Sequence, residues 1–125
     1  MSEEPVERAR RLCLAFPEAI EKTAWGAPTF RAGAKGKLFA IFADDHHGDG
    51  RVALWCHAPR GKQDVLVGTE PERFFRPPYV GPSGWIGVLL ERVDDAELAE
   101  HLREAFLQVA PKRLAARLDA GPDAR

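Results

Sequence analysis

Cysteine is scarce in this chain, with only Cys13 and Cys56, and neither belongs to a CxxC pair. Cys13 falls in a helical apolar stripe and Cys56 in a strand pattern. Both read as small buried hydrophobes in a reducing compartment, not as a disulfide. No apolar run approaches the roughly 20 residues that a bilayer span needs. The N-terminus, Met1-Ser2-Glu3-Glu4-Pro5, is acidic and lacks the basic and apolar regions of a signal peptide. No membrane is expected as a partner, and the expected location is the cytoplasm. Charge of one sign is missing too. The net charge is −1, which falls short of the basic balance (pI above about 9) usual for a nucleic-acid-binding domain.

Catalytic patterns are equally thin. Ser83 sits in Gly-Pro-Ser-Gly and not in a Gly-x-Ser-x-Gly elbow. Cys56 and His57 are adjacent in a strand, so their side chains point to opposite faces and neither can activate the other. The glycines of 33–36 and 81–87 match no phosphate-cradling spacing. Asp44, Asp45, His46, His47 and Asp49 supply good ligand types, but neighbours in a hairpin tip diverge, so a solvated polar turn is expected and not a metal site. These readings make the chain a non-enzyme with no cofactor.

What is present describes one α+β domain over 1–125, with 1–4 and 120–125 expected to fray. A chain of this length buries roughly two thirds of its unfolded surface, enough for a core without staples. Val6, Ala9, Leu12, Cys13 and Phe16 form the stripe of a first helix from about Glu4 to Ala15, stopped by Pro17. Strand-like runs follow at Thr23–Trp25, Thr29–Arg31, Lys37–Phe42 and Arg51–His57. Turns at 32–36 and 44–50 separate the last three and predict an antiparallel meander. A short helix, Gly61–Val67, precedes a segment dense in proline, glycine and aromatics, Pro71 to Gly84, which runs into a strand, Trp85–Leu90. Asp94 with Glu97 forms a capping box, and Val93 with Leu98 a hydrophobic staple, at the start of a third helix. A last helix spans Lys112–Asp119. The alternation puts Leu38, Ala40, Phe42, Val52, Leu54 and Cys56 on one sheet face under the terminal helices. Phe39, Trp55 and Trp85 fall on the other.

Several stretches together resemble the MmcQ/YjbR family of small bacterial proteins. They are Leu14-Ala15-Phe16-Pro17-Glu18-Ala19, Trp25-Gly26-Ala27-Pro28-Thr29-Phe30-Arg31 and Lys37-Leu38-Phe39-Ala40. Pro71-Glu72-Arg73-Phe74-Phe75, Pro78-Tyr79-Val80-Gly81, Gly84-Trp85-Ile86-Gly87-Val88 and Val109-Ala110-Pro111-Lys112-Arg113-Leu114 complete the set. The resemblance covers about Val6 to Leu118. It implies a two-layer CyaY-like sandwich, with the terminal helices on one face of an antiparallel sheet, and a proposed double-wing mode of DNA binding. It supplies no catalytic residues.

Two functional readings follow. Residues 31–62 carry Arg31, Lys35, Lys37, Arg51, Arg60 and Lys62 against Asp44, Asp45 and Asp49, a local charge of +3 that leaves −4 for the rest. Cationic hairpin tips of this kind can straddle a phosphate backbone and bind double-stranded DNA weakly and with salt sensitivity. The same cations would also serve simply as solubilising edges. The acidic turn Asp44 to Asp49 departs from a DNA-binding wing, because it would repel phosphate. The alternative is a small-ligand-binding or sequestration protein, with Trp25, Trp55, Tyr79 and Trp85 walling an apolar pocket.

Overall fold

The computed structural model describes residues 3–120, which form an α+β sandwich of six strands and four helices. Of the ends expected to fray, residues 1, 2 and 121–125 lie outside the described residues. Helix α1 (Pro5–Cys13) opens on proline and carries Glu7 in its first turn and Arg10 and Arg11 in its last, each matched to the helix dipole. It stops two residues short of Ala15. Strands β1 (Ala19–Ala24) and β2 (Ala27–Ala32) pair antiparallel from Ala19↔Ala32 to Ala24↔Ala27. The two-residue turn between them is Trp25-Gly26, with φ of 53° and 74°. Both residues are left-handed, as in the type I′ reversal whose twist matches the flanking strands. The hairpin is longer than Thr23–Trp25 and Thr29–Arg31 suggest, and Trp25 is a turn residue, not a strand residue. Cross-strand pairing extends a strand past its weak local signal.

Strands β3 (Leu38–Asp44) and β4 (Val52–Cys56) continue the meander. After α2 (Lys62–Thr69) come the edge strand β5 (Phe74–Phe75), strand β6 (Ile86–Leu89), α3 (Asp95–Val109) and α4 (Lys112–Ala120). The sheet order is β1-β2-β3-β4-β6-β5 and each neighbouring pair is antiparallel. The capping box at α3 is only half made. Asp94 Oδ1 accepts from the Glu97 N–H at 2.8 Å, but the Glu97 carboxylate turns to Arg73 and His101. Arg8 ties α1 to the start of α3 by donating to the Leu90 and Val93 carbonyls at 2.6 and 2.7 Å and to Asp95.

The helices cover one sheet face. Ala9 and Cys13 of α1, Leu98, Leu102, Ala105 and Phe106 of α3, and Leu114 of α4 pack on Phe30, Ala40, Phe42, Leu54, Cys56, Ile86 and Val88. One alternation fails. Phe30 pairs with Ala40 but Arg31 pairs with Leu38, so Phe39 is the extra residue of a β-bulge. The bulge turns Phe39 to the helix side, where its ring meets Phe106 at 5.4 Å and Phe16 at 6.0 Å. Leu38 moves to the opposite face. That face holds a smaller cluster of Ile41, Ala43, Ala53, Trp55, Phe75 and Trp85, with Ala27, Leu38, Val80 and Leu89 around it.

The proline-rich segment is fastened over the second face by α2. The buried Gln63 amide donates to the Gly81 carbonyl at 2.8 Å and the Trp85 carbonyl at 2.6 Å. Two glycines, one at its end and one in β6, are sterically required. Gly84 has φ of 89°, and a Cβ on Gly87 would fall 2.4 Å from Phe75 Cζ. Phe75 and Gly87 are register partners, so the ring lies across the glycine.

Candidate functional site

Pairing Ala24 with Ala27 and Asp44 with Val52 brings the Trp25-Gly26 turn and the 45–51 turn to the same end of the sheet. On the face away from the helices, these turns and Tyr79-Val80 enclose a cleft of about 700 Å³. Ile41, Ala43 and Trp55 form its floor; Trp25, His46, His47 and Tyr79 form its sides. Trp55 is only 4% exposed, whereas Trp25 is 78% and Tyr79 71% exposed. Such a volume, apolar with a few polar groups, suits a small molecule.

The backbone around this cleft is strained. Among the described residues, five other than glycine have left-handed φ: Glu18, Trp25, Asp45, His47 and Tyr79. Trp25, His47 and Tyr79 line the cleft, and Asp45 sits between two residues that do. Tyr79 has φ of 64°, and the Val80 N–H donates to the Pro78 carbonyl across it at 2.6 Å, closing a three-residue turn of the rarer, strained hand. Bulky residues seldom take this conformation, and they keep it where the surroundings impose it.

The rim is also knitted together. His47 Nε2 lies 3.1 Å from the Tyr79 hydroxyl. The His46 ring stands edge-on to Trp55 at 5.0 Å and to Tyr79 at 5.6 Å. His46 Nε2 and Trp55 Nε1 are buried without a hydrogen-bond partner, an uncommon state for buried polar atoms. Asp45 and Asp49 each spend a carboxylate oxygen on their own turn, accepting from Gly50 N–H at 2.7 Å and Arg51 N–H at 2.8 Å. The Asp44 side chain, in phase with Phe42 and across from Val52 on the helix side of the sheet, has no hydrogen bond or ion pair among the described residues.

Of the four aromatics expected to wall a pocket, three meet here. Trp85 does not. It is 5% exposed, in the second-face core, with its ring 5.2 Å from His57. His46 and His47 enter the wall although only a metal reading singles them out in the sequence. The hairpin register is what carries them to Trp25 and Tyr79.

The six basic residues are divided. The antiparallel register places Arg31, Lys35, Lys37 and Arg60 at the end of the sheet opposite the cleft, with Lys35, Lys37 and Arg60 exposed. Arg31 is half-buried and its Nε has no partner. Lys62 is bound to Glu104 of α3, and Arg51, on the cleft-side turn, stands over the Phe75 ring at 4.1 Å. His57 has its pKa lowered by burial and, to a smaller extent, by Lys37. The thiols are inert: burial pushes Cys56 up to about 12 and Cys13 well above the ordinary thiol range. Among the described residues no three His, Cys, Asp or Glu side chains are placed to hold a metal ion. Among the described residues no helix is long and apolar enough to cross a membrane.

The YjbR family profile matches residues 14–108. The chain belongs to the YjbR family. The fold agrees with a crystal structure of a Deinococcus radiodurans protein, DR2400, which carries the DUF419 domain. The two share 21% identity over 94% of this chain and 92% of that one, with a TM-score of 0.72. At that identity the likeness establishes the fold. No curated protein matches the chain.

Proposed function

We propose that this YjbR-family protein is a non-catalytic binding protein whose small ligand seats in the aromatic cleft. The observation that carries this reading is the placement of Trp25 and Tyr79. Both are largely exposed and both sit on left-handed backbone. An exposed aromatic gains little from burial, and a left-handed backbone costs a bulky residue roughly 1–2 kcal/mol. Neither placement helps the isolated fold, and both make sense as walls held open for a partner. The inert thiols favour binding over covalent chemistry.

A second reading, weak binding of double-stranded DNA, draws support from the opposite end of the sheet, where Arg31 lacks a partner and Lys35, Lys37 and Arg60 gather. Lys62 and Arg51 are engaged elsewhere, so about four phosphates would be neutralised, giving a slope of roughly −3.6 in log affinity against log salt.

One experiment separates the two. The indole N–H resonances of a nitrogen-labelled sample report Trp25, Trp55 and Trp85 individually. Titration with an uncharged naphthylamine dye should shift Trp25 and Trp55, leave Trp85 in place, and be indifferent to salt. Random duplex DNA at low salt should leave the first two unmoved. A dye that shifts none of the indoles removes the cleft reading. A salt-dependent response confined to the Lys35 end installs the DNA reading instead.

A further inference from the structure

Taking the cleft as the ligand site, two atoms of its wall specify what the ligand carries. Trp55 and His46 both line the cleft. Trp55 Nε1 and His46 Nε2 are each buried with no hydrogen-bond partner among the described residues. Folded chains leave few such atoms, because a polar group stripped of water and given nothing in return costs free energy. An indole N–H can only donate, so Trp55 lacks an acceptor. Its neighbours on the floor, Ile41 and Ala43, have side chains that offer none. An imidazole Nε2 donates in one tautomer and accepts in the other, so His46 can take the form that the ligand requires. The two rings meet edge-on with centroids 5.0 Å apart, which puts both nitrogens within the span of one bound molecule. Charge narrows the class further. The walls contain no lysine or arginine, and Arg51 on the neighbouring turn is held over Phe75. A carboxylate or phosphate seated here would be desolvated without a lysine or arginine to pair with.

We propose that the cleft takes an uncharged carbonyl compound, a ketone, amide or lactam on a flat apolar body, whose oxygen accepts from Trp55 Nε1–H and His46 Nε2–H. A carbonyl oxygen has two lone pairs and no hydrogen of its own to leave unpaired, so one atom serves both donors. The apolar body lies along Ile41 and Ala43 between Trp25 and Tyr79, and the volume of about 700 Å³ accommodates it. Both nitrogens lie just beneath the solvent-accessible surface, so the oxygen reaches them as the His46 ring turns from the indole. That ring rides on a short turn whose flanking residues, Asp45 and His47, are both left-handed. The segment that moves is therefore one already held in a costly conformation. A ligand without an acceptor leaves the buried donors unpaired and is rejected on that ground.

The test compares three probes of nearly equal shape by calorimetry and by the indole resonances. They are naphthyl methyl ketone, its isopropenyl analogue with a methylene in place of the oxygen, and naphthoate. The ketone should bind about tenfold more tightly than the alkene, and naphthoate weakest. All binding probes should shift Trp25, but the Trp55 indole proton should move farther downfield with the ketone than with the alkene. Trp55→Phe keeps an aromatic floor and removes the N–H, so within that variant the ratio of ketone to alkene affinity should fall toward one. If that variant does not fold, the Trp55 proton of the unaltered chain decides the matter. Equal or better binding of the alkene or naphthoate, with Trp25 still shifting, overturns the carbonyl proposal but keeps the cleft as a ligand site. So does a ketone preference with no extra downfield shift at Trp55, or one that survives in Trp55→Phe. If none of the three probes shifts Trp25 or Trp55, the cleft reading falls and takes the carbonyl proposal with it.

Discussion

Replacing Trp25 with asparagine should leave the fold standing and remove ligand binding. The indole is 78% exposed, so roughly 55 Å² of it is covered by the protein, taking about 250 Å² for a whole indole side chain. At about 25 cal/mol per Å², losing that contact costs about 1.4 kcal/mol. Against this stands the left-handed φ of 53°, which costs a bulky side chain roughly 1–2 kcal/mol and which asparagine tolerates. The two effects nearly cancel, and the net change should lie within about 1 kcal/mol of zero. A chain of 125 residues unfolds with an entropy near 0.26 kcal/mol per degree, so Tm should move by less than about 4 °C. Trp85→Ala is the contrast. That indole is 5% exposed, and its removal should cost about 3–5 kcal/mol, or roughly 11–19 °C. Thermal unfolding followed by circular dichroism gives the stabilities, and calorimetry with the naphthylamine dye gives the binding. A Trp25→Asn loss above about 2 kcal/mol would make Trp25 a structural residue. A near-neutral variant that still binds the dye would show that the cleft is not where the ligand sits.

Two further outcomes follow from the sheet and from His57 and His101. Gly87→Ala should cost about 1–3 kcal/mol, because the new Cβ displaces the Phe75 ring that lies 2.4 Å from its position. In a Phe75→Leu background that cost should largely vanish, and equal costs in both backgrounds, measured by urea unfolding, would refute the ring-over-glycine packing. Acidification should also destabilise the fold. Burial lowers the pKa of His101, with Lys62 adding to it, and burial with Lys37 lowers that of His57. The unfolded chain therefore takes up protons first as pH falls, so this stability is full above about pH 6.5 and drains away below it. Glu3, Glu18, Asp95 and Glu97, held low by arginine partners (in Glu97 against the opposing effect of burial), act only at lower pH. The urea midpoint should fall between about pH 7.5 and about pH 5.5, and fall less in His101→Gln; a flat or rising midpoint would contradict the burial argument.

Much of the fold was legible from residue order because its determinants are local or periodic. The α1 and α3 stripes and the alternation of β4 name the helix-facing core, with Cys13, Leu54, Leu102 and Phe106 all fully buried. Asp94 marks the start of α3 through its own hydrogen bond to Glu97. The proline-rich segment follows a constrained path, shown by the left-handed backbone of Gly84 and by the close approach at Gly87 just beyond it. Where alternation misled, a single inserted residue was responsible: the bulge at Phe39 reverses the faces of Phe39 and Leu38. Whether a strand bulges depends on the register of its partner, which no local pattern contains.

The cleft belongs to tertiary structure entirely. Trp25, His46, Trp55 and Tyr79 are far apart along the chain and come together only because three antiparallel pairings carry two turns to one end of the sheet. The same geometry parted residues that are grouped in sequence. Lys37 and Arg51 immediately precede the neighbouring strands β3 and β4 but sit at opposite ends of the sheet. Lys62 is turned to Glu104 of α3. Sequence by itself determined which elements form and which stripes are buried, since propensity and periodicity act over a few residues. Which exposed groups face one another was decided by strand register, a non-local choice made by the packing of the whole sheet.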